Sequence, residues 1–198
     1  MALKNKFVGD APGVLTATSD TGILFAAGNT SSVSESIAPI HRTVITVPTF
    51  SFTTTSAAKS VGQLVYTFPA GRIIVFGAMI STTLTTGAAT SSTAGEIGLG
   101  SVIGSGANAT LGAVGATSED IMEGTTIANC VASTANAITK GNHSIVGADH
   151  GATAVWPLNG TSTNVPVYFN LATTFAGTAG CTVSGTTISL LWSNLGDQ

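Results

Sequence analysis

Three groups of residues in this chain have types and spacings that could do chemistry. His143, Asp149 and His150 fall within eight positions, and two imidazoles with a carboxylate form a donor set for zinc or a similar ion. Their spacing matches no familiar ligand pattern, and Asn142–Gly151 reads as a glycine-bounded turn region, so solvated or interface polar residues are expected there. Glu119, Asp120 and Glu123 could attract calcium but lack the alternating oxygen ligands of a calcium loop. Charge at a helix N-terminus accounts for them without a metal. Glu96 sits on an expected strand with no nameable carboxylate partner, so a two-acid glycoside-cleaving site cannot be assembled from the nine acids present.

Other chemical signals are equally thin. No Gly-x-Ser-x-Gly elbow and no Gly-Lys-Ser/Thr phosphate loop occur. Gly104–Gly112 fits a loose dinucleotide pattern through Gly104, Gly106 and Ala109, but no strand–helix–strand unit surrounds it, and it reads as a plain loop. Trp156 and Trp192 could line a sugar-binding face, although core or interface anchoring is the simpler role. Cys130 and Cys181 form no Cys-x-x-Cys pair and read as buried thiols, with a disulfide between them left open. Asn29, Asn108, Asn142 and Asn159 each begin an Asn-x-Ser/Thr triplet, which chance supplies in a chain this rich in Ser and Thr. No catalytic, cofactor-binding or metal-binding residue is assigned, and no cofactor is expected.

Composition narrows the class. Hydrophobic residues make up 43% of the 198 and charged residues only 8%, against a usual charged share of about 25%. Disorder needs the opposite balance. A net charge of −3 and six scattered basic residues give no basic patch, so nucleic acid is not the expected ligand. The longest apolar run, Arg72–Ile80, falls well short of the ~20 residues of a spanning helix, and Met1–Lys6 shows no secretory signal, so no membrane association is expected. The surface must be built mainly from Thr, Ser, Gly, Ala and Asn. Such surfaces suit a protein packed against copies of itself or a partner, since desolvating a hydroxyl costs less than desolvating an ion.

The elements are strands. Residues 1–40 read as an arm or lead-in, with polar Asn29–Ser36 lacking any period and a short strand at Gly22–Ala26. His41–Phe52 is a strand that Pro48 bends or confines to an edge, with Val44, Phe50 and Phe52 sharing one parity. Val61–Phe68, the turn Pro69–Gly71 and Arg72–Leu84 read as a hairpin. Thr85–Ala94 is a long loop, and Gly95–Gly104 is a strand whose glycines mark bulges or close backbone approach. The one plausible helix lies between Ser118 and Lys140, with Ser118 as its N-cap. Val165–Leu171 and Gly180–Ser193 are strands, the latter placing Ile188, Leu190 and Trp192 on one face and Thr187, Ser189 and Leu191 on the other. The expected fold is all-β: a β-sandwich or jelly-roll-like domain over residues 41–198, with an extended N-terminal arm over 1–40 and at most one or two short helices.

Three stretches carry a resemblance. Leu64–Val75 is similar to the strand–Pro-Ala-Gly–strand hairpin found in many tailed-phage structural proteins. Gly95–Gly100 together with Ala116–Ile121 resembles segments of virion structural proteins from marine and cyanobacterial phages, and Gly185–Gly196 resembles their closing strand. The resemblance implies a non-enzymatic virion structural protein, foremost a capsid cement or decoration protein that clamps neighbouring major capsid subunits. It further implies a homodimer or homotrimer, partnered by major capsid or other virion proteins and located in the capsid after assembly in the host cytoplasm. The alternative is a receptor- or glycan-binding head of a tail fibre or spike, using exposed aromatics such as Trp156 or Tyr168.

Overall fold

The structure is a computed structural model that describes residues 15–17, 32–35, 40–55, 57–87, 95–108, 110–114, 116–127, 135–142, 158–160, 164–173 and 179–194. In chain order the strands are β1 (Leu15–Ala17), β2 (Ser32–Glu35), β3 (His41–Val47), β4 (Phe50–Thr54), β5 (Ser60–Phe68), β6 (Gly71–Thr86) and β7 (Glu96–Gly100). After a four-residue helical turn, α1 (Leu111–Val114), and a 3-10 turn at Ala116–Ser118 come β8 (Met122–Thr126), β9 (Ala135–Asn142), β10 (Leu158–Gly160), β11 (Val165–Ala172) and β12 (Ala179–Asn194). They form two antiparallel sheets packed face to face. The first runs β1-β2-β3-β12-β6-β10, with β4 also on β12 and β9 also on β6; the second runs β5-β11-β7-β8. The all-β sandwich expected from the sequence is the fold observed. Among the described residues no helix is long and apolar enough to cross a membrane.

The first sheet is organised by the two 16-residue strands β6 and β12, and each carries one extra residue against the other. On β12, Gly185 and Thr186 together oppose Thr82, and Gly185 has a φ of +58°, the left-handed conformation of a glycine bulge. Because side chains alternate with period two, the extra residue swaps the buried set. Cys181 and Val183 face the core before it, and Ile188, Leu190 and Trp192 after it. The Thr82 hydroxyl, buried opposite the bulge, bonds the Thr186 hydroxyl at 2.6 Å. On β6 the extra residue is Phe76, between Val75 paired with Trp192 and Gly77 paired with Leu191. There the buried set passes from Ile73 to Ala78, Ile80 and Leu84.

Pro48 explains a third phase change. It lies with Thr49 between β3 and β4, which both pair with β12 on the same side and break opposite Ser184 and Gly185. A residue without an N–H costs nothing where no ladder bond is made. Thr43, Ile45 and Val47 are buried before the break, and Phe50 and Phe52 pack on the core after it. Val44 therefore does not share a face with the two phenylalanines, although it shares their parity.

Two further expectations are corrected. Strands β5 and β6 do not form a hairpin: β5 pairs with β11 in one sheet and β6 with β12 in the other. The Pro69–Gly71 turn is an arch across the core, so Phe68 and Ile73 enter it from opposite sheets. Gly71, at φ +131°, makes the arch, and the Asn194 amide sits against its Cα while donating to the Ala70 carbonyl at 3.0 Å. No helix starts at Ser118. The Glu119 and Asp120 side chains instead accept from the Gly124 and Ser101 amides, which holds a compact loop, and Met122–Thr126 and Ala135–Asn142 are strands. Capping residues serve any turn with exposed N–H groups.

Within residues 1–40, β2 pairs with β3 and β1 pairs with β2, so parts of the lead-in extend the first sheet. The strand expected at Gly22–Ala26 lies outside the described residues. Trp192 anchors the core between the sheets, its ring edge-on to Phe68 at 5.0 Å and stacked on His41 at 4.4 Å. Its indole N–H donates to the buried Thr43 hydroxyl at 2.7 Å, which meets the polar need of a buried Trp.

Nothing lies within 4 Å of a Cβ built on Gly185, so a substitution there meets only backbone strain. Gly185→Ala should cost roughly 1–2 kcal/mol in urea unfolding, while Gly185→Asn, which tolerates the left-handed region, should cost less.

Candidate functional site

The most heavily constructed part of the surface covers the outer face of the second sheet. Register places three rows there: Ser60, Ala172 and Glu96; Gly62, Asn170 and Gly98; Leu64, Tyr168 and Gly100. Asn170 is the centre of this grid. It points away from the sandwich core yet is fully buried, because the chain from Ser101 to Ile121 lies over it as a roof. Its Oδ1 accepts from the Gly104 amide at 2.8 Å, and its Nδ2 donates to the Val102 carbonyl at 2.9 Å and the Ser118 carbonyl at 2.7 Å. A single amide thus fixes both limbs of the roof.

The glycines of the grid allow the close approach. A Cβ on Gly100 would collide with the Ser118 backbone, and one on Gly62 with the Asn170 amide. One on Gly98 would come within 2.9 Å of the Leu111 side chain and the Met122 carbonyl. Gly95–Gly104 was expected to carry glycines for this reason, and the strand β7 bears that out. The fully buried Leu111 side chain caps the grid, and its amide donates to Glu96 Oε2 at 2.7 Å. The Ser118 hydroxyl donates to the Leu111 carbonyl at 3.0 Å, and Asp120 accepts from the Ser101 amide at 2.7 Å and hydroxyl at 2.6 Å. The Gly106 carbonyl receives the amides of Lys59 and Ser60 at 2.8 and 3.0 Å. The Gly104–Gly112 stretch is accordingly a structural loop, as its sequence context implied.

The roof gathers the acids that the sequence leaves scattered. Glu96 and Glu119 both reach Gly124, whose amide donates to Glu119 Oε2 at 2.8 Å, and Glu123 acts electrostatically on Glu96. Burial raises the Glu96 pKa above the ordinary carboxylate range; the Leu111 N–H opposes this, and the Glu123 charge adds to it. Glu96 therefore does have carboxylate neighbours, which sequence reading could not name. Both Glu96 and Glu119 are engaged by backbone amides, and this geometry makes them clasps for the roof. Among the described residues no cluster of three or more His, Cys, Asp or Glu side chains is arranged to hold a metal ion.

The other singled-out residues divide simply. Trp192 is a core residue and Cys181 is buried on β12. Tyr168 is half-buried in the grid. Cys130, His143, Asp149, His150 and Trp156 lie outside the described residues. Asn170 is the residue that sequence reading missed. Its signal was a lone amide inside the apolar run Val165–Leu171, on the parity opposite Val165, Val167, Phe169 and Leu171.

Three substitutions test the roles of Asn170 and Glu96. Asn170→Ala removes the partner of three backbone groups, two of them in buried bonds, and at about 1–3 kcal/mol for each buried one the summed loss should be large enough to expose the roof to limited proteolysis before global unfolding. Asn170→Asp keeps the bond from Gly104 but sets a carboxylate against two carbonyls, so it should be no milder than Ala at neutral pH. Glu96→Gln keeps an acceptor for Leu111 without the charge. With the folded pKa raised, the wild-type group binds more protons folded than unfolded, so its contribution weakens as pH rises through the ordinary range to the raised value. The variant should therefore gain in melting temperature over wild type at pH 7–8, with the gap closing toward pH 4. Against known proteins the chain gives no match: no family model, no curated protein and no solved structure pairs with it.

Proposed function

We propose that the protein is a non-enzymatic structural subunit of a virion, most specifically a capsid cement or decoration protein that stabilises the shell by binding neighbouring major capsid subunits. The observation that carries this reading is the outer face of the first sheet. Cross-strand rows of that face run Thr46, Thr187, Ser81 and Thr139, and Ser51, Thr182 and Thr85. The hydroxyls of Ser51 and Thr182 approach at 3.1 Å and those of Ser81 and Thr139 at 3.3 Å. A sheet surface of paired hydroxyls loses little on desolvation and can exchange its bonds with a facing surface. With 8% charged residues, the chain has few ions to strip on contact. The resemblance of Leu64–Val75, Gly95–Gly100, Ala116–Ile121 and Gly185–Gly196 to phage structural proteins points the same way. The half-buried acids Glu96, Glu119 and Asp120, which accept from backbone amides, support a structural role over a catalytic one.

Light scattering coupled to size exclusion tests the reading. The expected result is a stable species of two or three times the 19.6 kDa chain mass. A clean monomer at all concentrations would turn the reading toward the glycan-binding head of a fibre or spike.

A further inference from the structure

We propose that copies of this chain associate head to tail, the outer face of the first sheet of one copy seating against the roof over the second sheet of the next. This rests on the self-association proposed above and names its surfaces. The two regions lie on opposite sides of the sandwich and differ in charge. On the outer face of the first sheet, Met79 and Leu191 are 44% and 42% exposed, although both are large and apolar. Leu191 is paired directly with Arg42, which shares its face, and Arg72 lies on the same face toward the start of β6. On the roof, Val102 and Ile103 are 48% and 44% exposed. Beside them is Asp120, which binds Ser101, the neighbour of Val102, while Glu119 and Glu123 lie further along the roof at Gly124.

Charge complementarity selects a second copy as the occupant. Among residues whose side chains are described, every acid (Glu96, Glu119, Asp120, Glu123) belongs to the roof or to the strands that carry it. The cations Arg42 and Arg72 belong to the opposite face, while Lys140 lies on the edge strand β9 and Lys59 precedes β5. Among the described side chains, this separation sets Arg42 beside the exposed Leu191 of the face and Asp120 beside the segment that carries Val102 and Ile103. Seating a face on an identical face would set Arg42 and Arg72 against themselves; seating it on a roof sets them against carboxylates. The roof is also pre-organised. Val102 donates its N–H to Thr117 at 3.0 Å and has its carbonyl held by Asn170, so little backbone entropy is lost on contact. An interface joining two different patches is heterologous: it builds rings where the rotation closes and open stacks where it does not.

The test uses two variants in the full chain, Leu191→Glu on the face and Val102→Lys on the roof, each placing a charge opposite its like. Both sites are over 40% exposed, so circular dichroism and melting temperature should stay near wild type. If either variant fails to fold, Met79→Glu or Ile103→Lys replaces it. By light scattering, each variant alone should fall to the monomer mass. An equimolar mixture should regain complexes, because each variant retains the patch that the other has lost. A Val102→Lys protein that keeps the wild-type mass while Leu191→Glu falls apart would show a face-to-face contact and overturn the proposal. Wild-type mass in both variants would overturn this interface and leave the structural-subunit reading standing. A wild-type monomer would remove both.

Discussion

The pairing of β6 with β12 is the constraint on which the rest depends. These strands run the length of the first sheet, and every other strand of that sheet is attached to one of them directly or through β3 and β2. A strand of 16 residues accumulates twist, and a regular ladder of that length does not stay over a compact core. One extra residue on each strand, at Gly185–Thr186 and at Phe76, relieves this by bending the ladder and re-aiming the side chains. The result is a core that takes Cys181 and Val183 from one phase and Ile188, Leu190 and Trp192 from the other. The buried Thr82–Thr186 hydroxyl pair helps to hold the bulge.

From this frame the second sheet gains its unusual outer layer. A four-stranded sheet packed on a larger one normally leaves its outer face to solvent, with polar residues there. Here that face carries Gly62, Gly98 and Gly100 around Asn170, and backbone lies where side chains would otherwise stand. The roof has almost no helix or ladder of its own, so its polar groups must be met one by one. Asn170, Asp120, Glu119, Glu96 and Ser118 do this. Buried polar networks of this kind hold one arrangement against others because every alternative leaves a group unpaired. The roof therefore behaves as a shaped surface built on a rigid sheet, and its exposed Val102 and Ile103 are presented at fixed positions.

The division between legible and illegible follows from range. The sequence by itself determined the class of the fold: alternation of Thr, Val, Ile and Phe in short runs, punctuated by Gly and Pro, has the two-residue period of strands and no sustained helical one. It also placed Ile188, Leu190 and Trp192 together, because the extra residue beside them, Phe76, lies on the partner strand and leaves their own alternation intact. It pointed to the close approaches at Gly98 and Gly100, since glycine in a strand has few other uses. Only the tertiary structure decided which strands pair. Strand–turn–strand reads alike for a hairpin and for an arch between sheets, and β5–β6 proved to be an arch because each strand finds its ladder with a partner about a hundred residues away. The phase of β3 and β4 was hidden for a similar reason: the break at Pro48 and Thr49 inverts every face beyond it. Asn170 and the acids of the roof stayed illegible because a polar side chain takes its meaning from groups brought to it by folding, and Gly104 and Ser118 reach Asn170 from 66 and 52 residues away.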